Sequence, residues 1–152
     1  MKNILITFLI IIPLFISNCK KGPGKSAVVT MHVDIAYKDK LGNDLLDATK
    51  QNHFSSDSIH VFNVVNGIKK EVYYPNYGAP HNFLIYKNDS LMTYYLRLFL
   101  ETDTTLLVLN KTITDTVTCT SEKSNGNWIL IKAWYNGVFE CDGGYQTFTI
   151  IK

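Results

Sequence analysis

The densest run of chemistry-bearing side chains in this chain is Asp39-Lys40-Leu41-Gly42-Asn43-Asp44-Leu45-Leu46-Asp47. Three carboxylates, an amide and a bending glycine could together offer a calcium ion the close-set oxygens it requires. Asp39, Asn43, Asp44 and Asp47 are the candidate ligands. The spacing is not that of an EF-hand, which alternates its ligands and closes on a glutamate at the twelfth position. Counted from Asp39, Leu41 and Lys50 stand where two of those ligands would be. The same residues also suit an Asx-type turn, in which aspartate side chains accept from nearby backbone N–H groups. Leu45 and Leu46 would then plug the end of a core.

A second constellation is aromatic. Tyr73, Tyr74 and Tyr77 gather around Pro75. Amphipathic rings of this kind can stack on a sugar face, and they can equally pack across strands. The third is a pair of thiols. Cys119 and Cys141 could form a disulfide in an oxidising compartment, with the enclosed loop worth ~3 kcal/mol in the chain-entropy account. If the intervening segments form a simple meander, one strand separates the two cysteines. The Cα atoms would then stand ~10 Å apart, against the ~7 Å a bridge tolerates. A strand that bends or switches sheets would remove that objection, so both arrangements stay open.

Catalytic chemistry has no comparable foothold. His32, His53, His60 and His81 show no metal-ligand spacing, and would have to converge by folding. There is no G-x-S-x-G, no phosphate-binding loop and no dinucleotide fingerprint. Glu140 and Asp142 could serve as acid and base only if a cleft desolvated one of them. No residue is assigned a catalytic role, and the expectation is a protein without enzymatic activity or cofactor. Nucleic acid is not an expected partner either. The formal net charge is +2, Arg97 is the single arginine, and a phosphate-tracking surface needs clustered cations.

The elements that must position these residues read as strands. Nine tyrosines, eight phenylalanines and two tryptophans, with many Thr, Val and Ile, favour a pleated sheet. Ala27 to Tyr37 alternates with period two, placing Val29, Met31, Val33, Ile35 and Tyr37 on one face and His32 and Asp34 on the other. Ile59–Val65 and Ile68–Tyr74 flank Asn66-Gly67, a strong hairpin signal because both turn residues take positive φ. His81–Lys87 is a short strand. Leu91–Glu101 follows, with Met92, Tyr94, Leu96, Leu98 and Leu100 on one side. Leu106–Leu109 is a continuous apolar run, suited to a strand buried on both faces. Ile113–Ser121, Trp128–Tyr135, Val138–Glu140 and Gln146–Ile151 complete the series. About eight strands with turn signals throughout and no long helix predict an all-β fold, an antiparallel β-sandwich of immunoglobulin-like type. A small closed barrel is the alternative.

The N-terminus decides where such a domain would work. Lys2 precedes an apolar run from Ile4 to Ile16, broken only by Thr7 and Pro13 and ending at Ile16-Ser17-Asn18-Cys19. At about 13 residues the run suits an export signal better than a spanning helix, which needs roughly 20. Ile16-Ser17-Asn18-Cys19 resembles the lipobox of bacterial lipoproteins. The segments 42–47 and 115–118 and the Trp134-Tyr135-Asn136-Gly137 turn are similar to those of small Bacteroidetes-type lipoproteins. The resemblance implies cleavage before Cys19 and acylation of its thiol, with buried chains holding the protein on a bilayer at ~0.8 kcal/mol per CH₂. It also implies a division into a signal peptide (1–18), a flexible Gly- and Lys-containing tether (19–26) and a β-sandwich domain (27–152). The expected setting is the outer membrane, on its periplasmic face given the basic residues Lys20, Lys21 and Lys25, with surface exposure as the alternative. Partners would be the membrane through the lipid, and an envelope protein or a glycan.

Overall fold

The computed structural model describes residues 31–124, 126–142 and 147–152, with the side chains of residues 139–142 excepted. The expected signal (1–18), the expected lipidation residue Cys19, the expected tether and the stretch 27–30 lie outside the described residues. The fold is a two-sheet β-sandwich. Its strands are β1 (His32–Lys38), β2 (His60–Val65), β3 (Ile68–Glu71), β4 (Phe83–Asn88) and β5 (Thr93–Phe99). They continue as β6 (Thr104–Val108), β7 (Thr114–Ser124), β8 (Asn127–Tyr135), β9 (Phe139–Asp142) and β10 (Thr147–Ile151). One sheet runs β10-β1-β5-β4 and the other β3-β2-β6-β7-β8-β9. Two separate sheets set aside the closed barrel.

Side-chain alternation builds the core as the sequence pattern requires. Val33, Ile35 and Tyr37 of β1 face Val61, Leu107 and Val117 of the other sheet, with Leu96 and Leu98 beside them. All of these are buried. Burying each such side chain contributes about 1.5–3 kcal/mol. The Asn66-Gly67 and Asn136-Gly137 pairs turn as expected, with all four residues at positive φ.

Three expectations are corrected. Pairing is not wholly antiparallel, because the first and last strands lie parallel, with Asp34 opposite Thr147 and Lys38 opposite Ile151. The run Leu106–Leu109 is not buried on both faces. Leu107 and Leu109 are buried while Leu106 and Val108 are only partly covered, because nothing packs fully over the outer side of the six-stranded sheet. Met92 does not join the inward row of β5. It sits in the preceding turn at φ 48° and is exposed, and β5 begins one residue later.

A bulge sets the phase of β8. Thr120 pairs with Lys132 but Ser121 pairs with Leu130, so one residue is unopposed and the inward side changes parity there. Ala133 and Tyr135 face the core beyond the bulge, and Leu130 faces it before. Trp128 shares the inward face with Leu130, two residues along. It nonetheless stands exposed, at the edge of a cleft it shares with Met31 and Leu100.

Candidate functional site

The aromatic segment after β3 forms a tied loop rather than a free one. The Tyr74 N–H donates to the Pro80 carbonyl at 2.7 Å, and Tyr77 N–H donates to the Tyr74 carbonyl at 3.0 Å. Asn82 closes the segment at φ 62°, a conformation asparagine tolerates better than most residues. Its side-chain amide donates to the Phe99 carbonyl at 3.2 Å. The loop therefore stands fixed against the end of β5. All three tyrosines remain exposed: Tyr73 at 59%, Tyr74 at 43% and Tyr77 at 63%.

These rings do not make one flat platform. Tyr74 and Tyr77 meet edge to face, with centroids 6.4 Å apart and planes at 74°. Tyr73 turns towards His81, 5.0 Å between centroids. Tyr74 is a ridge between two grooves. On one side lies a cleft of about 650 Å³ that includes Tyr77, Met31, Leu100 and Glu101. On the other lies a groove of about 400 Å³ that includes Tyr73, Val65, Ile68 and Thr102. Glu101 fixes the ridge: its Oε2 accepts from the Tyr74 hydroxyl at 2.9 Å and from Asn63 Nδ2 at 2.9 Å. The carboxylate beside it pushes the Tyr74 phenol above its ordinary pKa.

The Asp39–Asp47 segment is a set of Asx-type turns. Asp39 Oδ1 accepts from the backbone N–H groups of Leu41 and Asn43, each at 2.8 Å. Asp39 Oδ2 accepts from Asn43 Nδ2 at 2.8 Å. Asp44 turns inward, accepting from Tyr94 N–H at 2.8 Å and Lys38 Nζ at 3.0 Å through Oδ2, and from Leu46 N–H at 3.0 Å through Oδ1. Asp47 accepts from the Thr49 N–H and hydroxyl. The candidate calcium ligands are thus engaged with nearby backbone, with one another (Asn43 with Asp39) and, for Asp44, with Lys38 and Tyr94. Among the described residues no group of three or more His, Cys, Asp or Glu is arranged to hold a metal ion. Folding does bring His53, His60 and His81 to one cleft of about 700 Å³. His53 is engaged there with the Lys50 carbonyl at 2.6 Å and His60 with Glu71 at 2.7 Å.

The cysteine pair follows the meander. Cys119 lies opposite Ala133, and Ala133 lies opposite Cys141. Two interstrand steps thus separate them, ~10 Å, which exceeds bridging distance. Cys119 is a free, buried thiol. Burial, with Asp103 nearby, pushes it up to about 11, so it is a poor nucleophile at neutral pH. The side chains of Glu140 and Asp142 lie outside the described residues.

Two polar clusters escape sequence reasoning. On the outer face of the four-stranded sheet, Arg97 grips Asp34 with Nε to Oδ1 at 2.8 Å and Nη2 to Oδ2 at 2.9 Å. The Tyr86 hydroxyl donates to Asp34 at 2.8 Å. Burial would raise the Asp34 carboxyl, but these bonds outweigh it and hold it below its ordinary range. Between the sheets, buried Asp115 accepts from the Tyr135 hydroxyl, from Asn136 Nδ2 at 2.9 Å and from Lys152 Nζ at 2.7 Å. The Tyr37 hydroxyl lies 3.1 Å from that of Tyr135, and because the single Tyr135 proton goes to Asp115, Tyr37 is the donor between the two. Period-two alternation put Asp34 outside but could not name its partners, which lie 52 and 63 residues away in the chain.

Comparison with family models, with curated proteins and with solved structures returns no significant match.

Proposed function

We propose that this chain is a lipid-anchored module of the bacterial cell envelope that works by binding rather than by catalysis. Acylation of Cys19 would hold it on the outer membrane, on the periplasmic leaflet, and the sandwich would present a recognition surface. The observation that carries the binding reading is the placement of the exposed aromatics. Among the described residues, the exposed Tyr and Trp side chains are Tyr73, Tyr74, Tyr77 and Trp128. They line adjoining clefts that share Glu101 or Thr102. Rings concentrated at one place are the usual mark of a recognition surface. Mass spectrometry of the protein made in a bacterial host tests the anchor. The expected product begins at Cys19 and carries acyl chains, and Cys19→Ala releases it from the membrane fraction. An unmodified Cys19 in a soluble product would remove the reading.

A second reading, a glycan-binding module, is favoured by one feature. The Tyr74–Tyr77 cleft has apolar walls beside the Glu101 carboxylate and the Asn76 amide, a combination that suits a sugar's apolar face and hydroxyls. A glycan array probed with the protein decides it, and Tyr77→Ala should weaken any binding found. An array without hits would end this reading.

A further inference from the structure

The uncovered side chains at the Tyr74 end belong mainly to the inner face of the six-stranded sheet. Val61 is buried in the core, and Val65, four residues along the same strand, shares its face. Val65 is 54% exposed and its cross-strand partner Ile68 is 72% exposed. On β8, Trp128 repeats the pattern beyond Leu130, at 48% exposed. Among the described residues this end of the six-stranded sheet's inner face is thus left uncovered, and the overhang is apolar. The tyrosine loop, with Tyr74 and Tyr77, stands beside it. The described chain also begins here: Met31 lines both the Tyr77 cleft and the Trp128 cleft.

We propose that this overhanging end rests on the membrane surface, with Trp128, Ile68 and Tyr77 in the lipid interface. The inference rests on acylation of Cys19. About a dozen residues join Cys19 to Met31, and at 3.3–3.6 Å each they reach at most ~40 Å. The start of β1 is therefore held within ~40 Å of the bilayer, and the surface around it is the part of the described domain nearest the anchor. Tyr and Trp favour the headgroup level, where one end of the ring is apolar and the other wet. Cations flank the overhang. Lys123 Nζ lies 6.0 Å from the Trp128 ring centre, and Lys70 lines the groove with Ile68. Both can extend towards anionic headgroups. The acidic groups lining these clefts are Glu101, already bonded to Tyr74 and Asn63, Glu71, which lines the groove with Lys70 and meets His60 at 2.7 Å, and Asp103 in the Trp128 cleft. A sugar site would account for Tyr74 and Tyr77. It would not require Val65, Ile68 and Trp128 to be apolar as well.

The test uses the acylated full-length protein in phosphatidylethanolamine–phosphatidylglycerol vesicles containing lipid brominated high on the acyl chain. With Trp134→Phe in place, Trp128 is the remaining tryptophan. The expected result is co-flotation, with loss of Trp128 emission to the brominated lipid. Ile68→Ser with Tyr77→Ser should reduce that loss without ending flotation, and Leu41→Ser at the opposite end should leave it unchanged. Should Trp134→Phe fold poorly, the wild-type protein compared with Trp128→Phe gives the same reading, since the quenchable emission should vanish with Trp128. Flotation without quenching overturns the proposal and leaves the anchor standing. Failure to float overturns both. Trp128 shielded from brominated lipid and from aqueous iodide alike places another occupant there, residues 27–30 of this chain or a glycan, and also overturns it.

Discussion

The two ends of the sandwich spend their side chains in opposite ways. At the end where β1 finishes, polar groups are consumed by the fold. Asp39 and Asp47 cap their own turns, Asp44 ties three segments together, and Asp115 sits buried under Lys152. Exposed apolar side chains occur at both ends, but Leu41, Leu91, Met92 and Val138 at that end sit in separate turns, whereas at the end where β1 starts Val65, Ile68 and Trp128 lie on one sheet face beside Tyr74 and Tyr77. The acidic cluster that invites a functional reading has its oxygens engaged in turns and an ion pair, and the clustered apolar side chains become the candidate surface. A polar side chain with all its bonds made has little left to offer a ligand, whereas uncovered apolar area still gains by leaving water.

The contrast can be broken most severely at Asp115. Asp115→Ala removes a buried carboxylate and leaves the Lys152 ammonium without its partner, an effect of about 3–5 kcal/mol. Urea unfolding should show the midpoint collapse; a shift within error would mean the network is not structural. Asp44→Ala comes next. It strands the Tyr94 and Leu46 N–H groups, at a cost of about 1–3 kcal/mol, read from the same titration. Tyr74→Ser with Tyr77→Ser should change stability by only about 0.5–1 kcal/mol, as exposed positions do, while binding or lipid contact falls. A large loss of stability there would erase the distinction between the ends.

Acid titration sharpens the middle of the molecule. The folded-state carboxyl of Asp34 is depressed below its ordinary 3.8, so its contribution is fully present above that value. It is lost as pH falls through the lower folded value. Asp34→Asn should therefore flatten the acid limb of the stability curve below pH ~4 and leave its slope near neutrality unchanged. An acid limb identical to wild type would count against the Arg97–Asp34 pairing. The smallest effect concerns calcium. With Asp39 and Asp47 bonded to their own loops, calcium or chelator should leave the melting temperature unmoved, and a clear rise with calcium would revive the metal reading.

Much of the strand pattern was legible because alternation and turn chemistry are local. Val33, Ile35 and Tyr37 could be placed inward from spacing alone, and Asn66-Gly67 marked its own hairpin. Met92 was misplaced because a positive-φ turn consumed it, and the bare pattern cannot separate a turn residue from the first strand residue. Of the candidate site, Tyr73, Tyr74 and Tyr77 could be named in advance. Trp128, Val65 and Ile68 could not, because alternation assigns them to the core face and says nothing about what covers that face there.

Taken alone, the sequence determined an all-β chain, its principal turns and an apolar N-terminal run ending at Cys19, from which export and acylation are proposed. These rest on periodicity, turn residues and hydrophobic length, all properties of neighbours in the chain. The tertiary structure decided which polar groups are used up, how Asp34 meets Arg97 and Tyr86, and which inner-face side chains of the six-stranded sheet are left uncovered among the described residues. Those outcomes depend on strand register and on how the two sheets cover each other. Both are set by contacts between residues far apart in sequence, which no local pattern records.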